Sequence, residues 1–258
     1  MTPNQKQELL SIAIQAAQSA GVIIKQAKAK EIKHKGNVDL VTETDLASEA
    51  EICTILSSKA PEIPILAEES GGSQDKTRWI IDPLDGTTNF AHGLPHYAIS
   101  IGLEWEGELM VGVIYNPCSD ELFSAIKDMG ATCNDTPISV SNTQSFSQAL
   151  LATGFPYDRQ ENPERYTQWV TTMLKHCQGI RRMGSAALDL AYVAAGRLDG
   201  FWEFGLKPWD MAAGKLLITE ADGAISNKEG SPHQWSDACI VAGNTNIHKT
   251  LLNHLQNS

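Results

Sequence analysis

Apolar residues in this chain follow two different rhythms. From about Asn4 to Lys28 they recur at Leu9, Ala13, Ala16, Ala20, Ile23 and Ala27, which is helical spacing and predicts an amphipathic opening helix. A polar loop reading V-D-L-V-T-E-T-D follows, and a second helix is expected from near Thr42, with Asp45 three residues on as its capping partner. Leu46, Ala50, Cys53 and Leu56 supply its apolar face. The rhythm then shortens. Ile63 to Ala67 predicts a buried strand ending in Glu68 and Glu69, which on an extended segment point to opposite faces. A further strand starts near Trp79, and Tyr97 to Leu103 with Leu109 to Tyr115 read as a hairpin about Gly107. Glu121 to Ile126 adds a strand, and Gly130 to Val140 continues an irregular β-rich stretch.

From about Gln148 strands alternate with helices. Strands are expected at Ala149 to Thr153, Gly179 to Met183, Phe201 to Phe204 and Ala238 to Ala242. Between them lie helices from Pro163 to about Cys177, from the cap Ser185 to Gly196, from Pro208 to near Gly223, and from Asn246 onward. The change of texture near residue 145 divides the chain into halves, 1–145 and 146–258, without a Pro/Ser-rich linker, so the halves are expected to pack closely.

Charge narrows the function. The 31 acidic against 20 basic residues, a net charge of −11, argue against nonspecific nucleic-acid binding and against attraction to anionic membranes. No stretch approaches the roughly 20 apolar residues of a membrane span, and the N-terminal residues lack the basic and apolar regions of a secretory signal. The 5 cysteines are scattered without a C-x-x-C pair, which suits reduced thiols in the cytoplasm. So acidic a protein repels phosphate-bearing substrates unless cations sit in its site.

One stretch offers such a site. Trp79 to Phe90 reads W-I-I-D-P-L-D-G-T-T-N-F, a strand delivering Asp82 and Asp85 into a turn begun by Gly86. An Asx-type turn explains these residues equally well at this level. Glu68 lies at the end of the neighbouring strand, and Asp210 in the first turn of the helix opened by Pro208. Four carboxylates without histidine or cysteine suit Mg²⁺ or Mn²⁺, and a divalent cation relieves their mutual repulsion. His92 and His96 are separated by Gly93 and Pro95, which deny them the helix of a zinc pair. Neither G-x-S-x-G, a P-loop nor G-x-G-x-x-G occurs. Asp45 is fully accounted for, on its own, by the dipole of the helix it opens.

E-E-S, D-P-L-D-G-T-T-N-F and W-D-M-A-A-G, in this order, strongly resemble the inositol monophosphatase family of Mg²⁺-dependent, lithium-sensitive phosphatases. The resemblance extends to G-N-V-D-L-V-T-E-T-D and R-R-M-G-S-A-A-L, and so to nearly the whole chain. It implies an α/β fold like that of fructose-1,6-bisphosphatase. This is a layered α-β-α-β-α sandwich with an α+β N-terminal half and an α/β C-terminal half. It implies two or three Mg²⁺ ions, or Mn²⁺ in their place, held by Glu68, Asp82, Asp85, Asp210 and the Leu84 carbonyl. Catalysis is implied for Thr87, Asp45 and Glu68, with Thr87 and Asp45 orienting and activating the attacking water.

The substrate implied is a small phosphorylated polyol or sugar, foremost myo-inositol monophosphate. Its implied contacts are Glu68, Leu84, Asp85, Gly86, Thr87, Gly184, Ser185, Ala186, Glu203 and Asp210. Of Arg181 and Arg182, alignment with the family selects Arg181 to face the ligand, a surface or subunit-interface role being the alternative. Histidinol phosphate, galactose 1-phosphate, fructose 1,6-bisphosphate and adenosine 3′,5′-bisphosphate are substrates elsewhere in the family. The segment T-G-F-P-Y-D departs from the serine-containing loop of the animal enzymes. The resemblance also implies a homodimer. A regulatory, partner-binding protein on the same fold is the rival from another class.

Overall fold

A computed structural model describes residues 1–27, 32–34 and 40–257. Helix α1 (Pro3–Gln26) starts on a reciprocal cap: the Thr2 hydroxyl accepts the Gln5 N–H at 3.3 Å, and the Gln5 side chain accepts the Thr2 N–H at 2.8 Å. Its buried stripe of Ala13, Ala16, Ala17, Ala20 and Ile24 lets it lie close against its neighbours. The expected extension to Lys28 falls outside the described residues. Strand β2 (Leu40–Thr42) forms within the expected polar loop and pairs antiparallel with β1 (Ile32–His34), while Val38 and Asp39 of that loop fall outside the described residues. Helix α2 (Glu43–Lys59) starts where expected, on Thr42 and Asp45.

Strands β3 (Ile65–Ala67), β4 (Gly71–Gly72), β5 (Arg78–Asp85), β6 (Ala98–Trp105), β7 (Glu108–Asn116), β8 (Glu121–Ile126), β9 (Gly130–Cys133) and β10 (Thr136–Pro137) form one sheet in the order β10-β9-β8-β7-β6-β5-β3-β4. Neighbours run antiparallel except β3 and β5. Glu106 and Gly107, with φ of 54° and 87°, make the tight turn of the predicted β6–β7 hairpin. The short helix α3 (Thr87–Ala91) lies between β5 and β6.

The remaining strands, β11 (Leu150–Thr153), β12 (Gly179–Arg181), β13 (Gly200–Phe204), β14 (Ala224–Ser226) and β15 (Cys239–Gly243), form a second sheet in the order β12-β11-β13-β15-β14. Alternation with helices makes β11 parallel to β12 and β13, as a crossover requires. The helices are α4 (Pro163–Leu174), α5 (Ala186–Ala194), α6 (Pro208–Glu220) and α7 (Thr245–Gln256). Strand β14 had no separate sequence signal. Helices α4 and α6 end before Cys177 and Gly223 because turns close them there, with the Cys177 N–H on the Met173 carbonyl at 2.9 Å and the Gly223 N–H on the Ile218 carbonyl at 2.8 Å.

Apolar cores fill the spaces between five layers. Apolar residues of α1 and α2 pack on one face of the large sheet, with Trp79, Ile81, Ile99 and Val113 buried between them. Helices α5 and α6 fill the middle, between Ile114 and Phe123 of the large sheet and Phe201 and Ile240 of the small one. Helices α4 and α7 cover the outer face of the small sheet through Trp169, Trp202, Val241 and Leu251. This is the α-β-α-β-α arrangement the sequence resemblance implied. No helix among the described residues is long and apolar enough to cross a membrane.

Candidate active site

Strand β5 carries the site at its carboxyl end. Trp79, Ile80 and Ile81 are fully buried and anchor it. Pairing with β6 is regular as far as Asp82 opposite Ser100, then shifts before Asp85 opposite Ala98, so β5 gains one residue. Pro83 sits in this bulge, where its missing N–H costs no ladder bond. Ser48 on α2 fixes the bulge by donating to the Pro83 carbonyl at 2.7 Å. The Leu84 N–H donates to Asp82 Oδ1 at 3.0 Å, so the Asx turn that the sequence allowed is present within the acidic motif itself. The Leu84 side chain is buried in the core, while its carbonyl oxygen stands 3.1 Å from the Thr87 hydroxyl.

Gly86 turns the chain with φ of 99°. A Cβ there would also stand 3.1 Å from the His96 carbonyl and 3.2 Å from that of Gly184, so both conformation and space demand glycine. Asn89 bridges the same two segments, donating to the carbonyls of His96 and Met183 at 2.8 Å each.

Elements from three directions bring the other acids to a cleft of about 460 Å³ that Glu68, Asp82, Asp85 and Asp210 all line. Glu68 and Glu69 stand in a turn and both line the cleft, which corrects the expectation that they diverge on an extended segment. The turn is held by the buried Glu49, which accepts the Glu69 and Ser70 N–H groups at 2.8 and 2.9 Å. Asp85 reaches the N-terminus of α5, accepting from the Ser185 hydroxyl at 2.6 Å and the Ala187 N–H at 2.7 Å. Asp210 accepts the Lys207 N–H at 2.6 Å, closing the first turn of α6.

Burial and mutual repulsion dominate the electrostatics. Asp82 is held well above the ordinary carboxylate range by burial first, then by Glu68, Asp85 and Asp210. Asp210 is raised likewise by burial and then Asp85. Burial lifts Asp85 to about 6, against the pull of its Ser185 and helix-end donors. Among the described residues no three acidic, histidine or cysteine side chains close into a ready-made metal shell. Asp82, Asp85 and Asp210 each lean on a protein donor instead. The donor chemistry fits a hard cation: the cleft presents carboxylates and the Leu84 carbonyl, with neither histidine nor cysteine among its described lining residues.

Asp45 is fully buried beside this set. Thr42 donates to Asp45 Oδ2 through its N–H at 2.9 Å and through its hydroxyl, and Thr87 donates to Oδ1 at 2.9 Å. The carboxylate that caps α2 therefore also touches the motif. Burial raises its pKa against these donors.

The opposite wall belongs to the C-terminal half. Glu203 on β13 is buried, and burial pushes it up to about 8 although Arg182 pulls it down. Gly154 makes room for it, since a Cβ there would fall 2.0 Å from the Glu203 carboxylate. Gly184 and Ala186 line the cleft. Ser185 is only 1% exposed and its hydroxyl is committed to Asp85 and to the Leu188 N–H.

Arg182, not Arg181, lines the cleft, lying over the Phe155 ring at 5.9 Å. Arg181 is exposed at the end of edge strand β12 and donates back to the Ile180 carbonyl. Arg182 is the first residue beyond β12, on the segment that leads to Gly184 at the cleft. Asp189 was missed. It lies four residues beyond Ser185, hence on the same helix face, and its buried Oδ1 has no hydrogen-bond partner among the described residues.

Comparison with known proteins agrees with this geometry. The sequence pattern of the inositol monophosphatase family matches residues 5–258. Inositol-1-monophosphatase of Synechocystis is 46% identical over 97% of this chain and 89% of its own length. The Nus factor SuhB of Escherichia coli is 42% identical over 96% of both chains. The solved inositol monophosphatase of Anabaena superposes with a TM-score of 0.89 at 44% identity, covering 97% of this chain and 96% of that one. The extragenic suppressor protein suhB of Bartonella henselae superposes with a TM-score of 0.93 at 40% identity, covering 97% and 99%. With the acidic cleft, the five layers and these matches in agreement, the chain belongs to the inositol monophosphatase family.

Proposed function

We propose that this chain hydrolyses a small phosphate monoester, foremost myo-inositol monophosphate, with Mg²⁺ held by Glu68, Asp82, Asp85, Asp210 and the Leu84 carbonyl. Mn²⁺ is the alternative ion. The observation that carries the reading is the gathering of Glu68, Asp82, Asp85 and Asp210 on one cleft, with the Asp45–Thr87 pair next to them. Bound there, the cation supplies the positive charge that admits a phosphate to an acidic cleft and makes water acidic enough to attack. Thr87, its hydroxyl hydrogen directed at Asp45, orients that water and relays its proton to the Asp45 carboxylate. Glu68 helps hold the water in line. The N–H groups of Gly86 and Thr87 receive phosphate oxygens at the turn after β5.

Gly184, Ala186 and Glu203 border the polyol hydroxyls, and Arg182 takes the role that alignment assigned to Arg181. Ser185 supports Asp85 from behind. The proposal includes a cytoplasmic homodimer whose two halves, 1–145 and 146–258, close one catalytic unit. The deciding experiment is phosphate release with and without Mg²⁺ from inositol 1-phosphate, histidinol phosphate, galactose 1-phosphate, fructose 1,6-bisphosphate and adenosine 3′,5′-bisphosphate. Preference for inositol 1-phosphate supports the reading, and silence on every ester contradicts it. The relatives named Nus factor SuhB support a second reading, in which this chain serves as a Nus factor. Release of phosphate lost on Asp210→Asn, with any such factor role retained, separates the two.

A further inference from the structure

One buried face of α2 backs the acidic cleft. Asp45, Ser48 and Glu49 stand at i, i+3 and i+4, hence on one side of the helix, and are 0%, 0% and 5% exposed. Each holds a different segment of the cleft wall. Asp45 accepts the Thr87 hydroxyl at 2.9 Å, just past the turn at Gly86. Ser48 donates to the Pro83 carbonyl at 2.7 Å, between the two aspartates of β5. Glu49 takes the Glu69 N–H on Oε2 at 2.8 Å and the Ser70 N–H on Oε1 at 2.9 Å, so both its oxygens are spent on backbone beside Glu68. The same turn is tied to β5 by the Glu68 N–H, which donates to the Ile81 carbonyl at 3.1 Å. Ile52 and Leu56 continue the buried face of α2 into the core with Trp79 and Ile81, which fixes the helix in place.

We propose, resting on the metal-dependent reading above, that Ser48 and Glu49 are positioning residues that set the affinity of the cleft for its divalent cation. Glu68 comes from the turn after β3, and Asp82 and Asp85 come from β5, so two chain segments must hold their acids at the spacing a cation requires. Glu68 and Asp85 both repel the Asp82 charge, which pushes the two segments apart before a cation arrives. Helix α2 is bonded to both segments, through Glu49 on one and Ser48 on the other. Neither residue lines the cleft, so each acts through the backbone it holds and not by touching the cation.

Charge alone would also draw a cation toward a buried acid, and two features separate that effect from positioning. Ser48 is neutral, and its hydroxyl bond ends on the bulge carbonyl. The turn that Glu49 clamps runs straight into Gly71 and Gly72, with φ of 72° and 130°, where no side chain restricts the backbone. The clamp therefore supplies a constraint on Glu68 that the local sequence lacks. Shortening Glu49 to aspartate keeps the charge and withdraws the carboxylate from the two N–H groups.

The test measures binding without turnover. Mn²⁺ is titrated into the full chain without substrate and followed by electron paramagnetic resonance, and the site scored is the one that Asp210→Asn removes. Ser48→Ala and Glu49→Asp are compared with the wild type, and with Glu51→Gln, whose carboxylate accepts from Ser19 on the same helix. Each of the first two is expected to raise the Mn²⁺ dissociation constant about tenfold, and Glu51→Gln to leave it within about twofold. Raising Mg²⁺ should restore kcat in both positioning variants with KM for inositol 1-phosphate unchanged, a rescue that general damage to the fold would not show. Wild-type Mn²⁺ affinity in both Ser48→Ala and Glu49→Asp overturns the proposal and leaves the phosphatase reading standing. A wild-type chain with no such Mn²⁺ site overturns both.

Discussion

The two ends of strand β5 bury charge in opposite ways. At its start Arg78 and Glu104, 5% exposed each, face one another at 3.0 Å, and Trp235 and Gln74 take up further polar positions. At its end Asp82 and Asp85 are gathered with Glu68 and Asp210, burial pushes the protonation of both upward, and like charge adds to it at Asp82. The first arrangement completes itself within the protein. The second is costly until a cation arrives, because desolvated carboxylates without a counter-charge favour protonation. Within eight residues the strand therefore passes from a structural ion pair to a set of mutually repelling acids, the proposed ligand site.

Asp210→Asn should separate these regimes most strongly. The amide can still accept the Lys207 N–H, so the fold survives, but Mg²⁺-dependent turnover should fall by more than about a hundredfold, since even groups behind a ligand cost 10–100-fold. Steady-state kinetics checks the loss. Thermal unfolding of the metal-free variant should show no loss of stability, because a repelled buried acid has been removed. Glu104→Leu should give the inverse result. It strands Arg78 and should cost about 3–5 kcal/mol in denaturant unfolding while leaving turnover per folded molecule unchanged. If both variants lose activity and stability together, the contrast between the two ends of β5 is wrong.

Glu203 refines the comparison by pH. Its folded pKa of about 8 lies above its unfolded value of about 4, so its contribution to stability is fully present below about pH 4 and is lost as pH rises through about 8. Metal-free unfolding measured across that window should show the decline, and Glu203→Gln should flatten it. Smallest of all, Arg182→Ala should raise KM for inositol monophosphate several-fold with little change in kcat. Arg181→Ala, outside the cleft, should leave both within about twofold.

Local motifs were the legible part of this site. Asp82, Pro83, Asp85 and Gly86 are adjacent in sequence, and Asp210 sits at a helix start that Pro208 announces, so each carries its own short-range signal. The helices and strands were legible because apolar rhythm changes from helical to alternating and back along the chain, whereas the five layers were expected from the family resemblance. What escaped depends on contacts between distant segments. Glu49 looks like an ordinary helix residue until the 68–70 turn closes over it. The choice between Arg181 and Arg182 depends on where β12 ends, a matter of one residue. Ser185 carries a helix cap in the sequence, yet its tie to Asp85 spans a hundred residues.

The central claim is that the acidic end of β5 becomes a catalytic site when a divalent cation binds it. It is tested most directly by phosphate release from inositol 1-phosphate by the wild-type chain and Asp210→Asn, each in Mg²⁺ and in EDTA. Release by the wild type in Mg²⁺ alone, absent from the other three samples, is the predicted result. Release in EDTA, or undiminished release by Asp210→Asn, would contradict it.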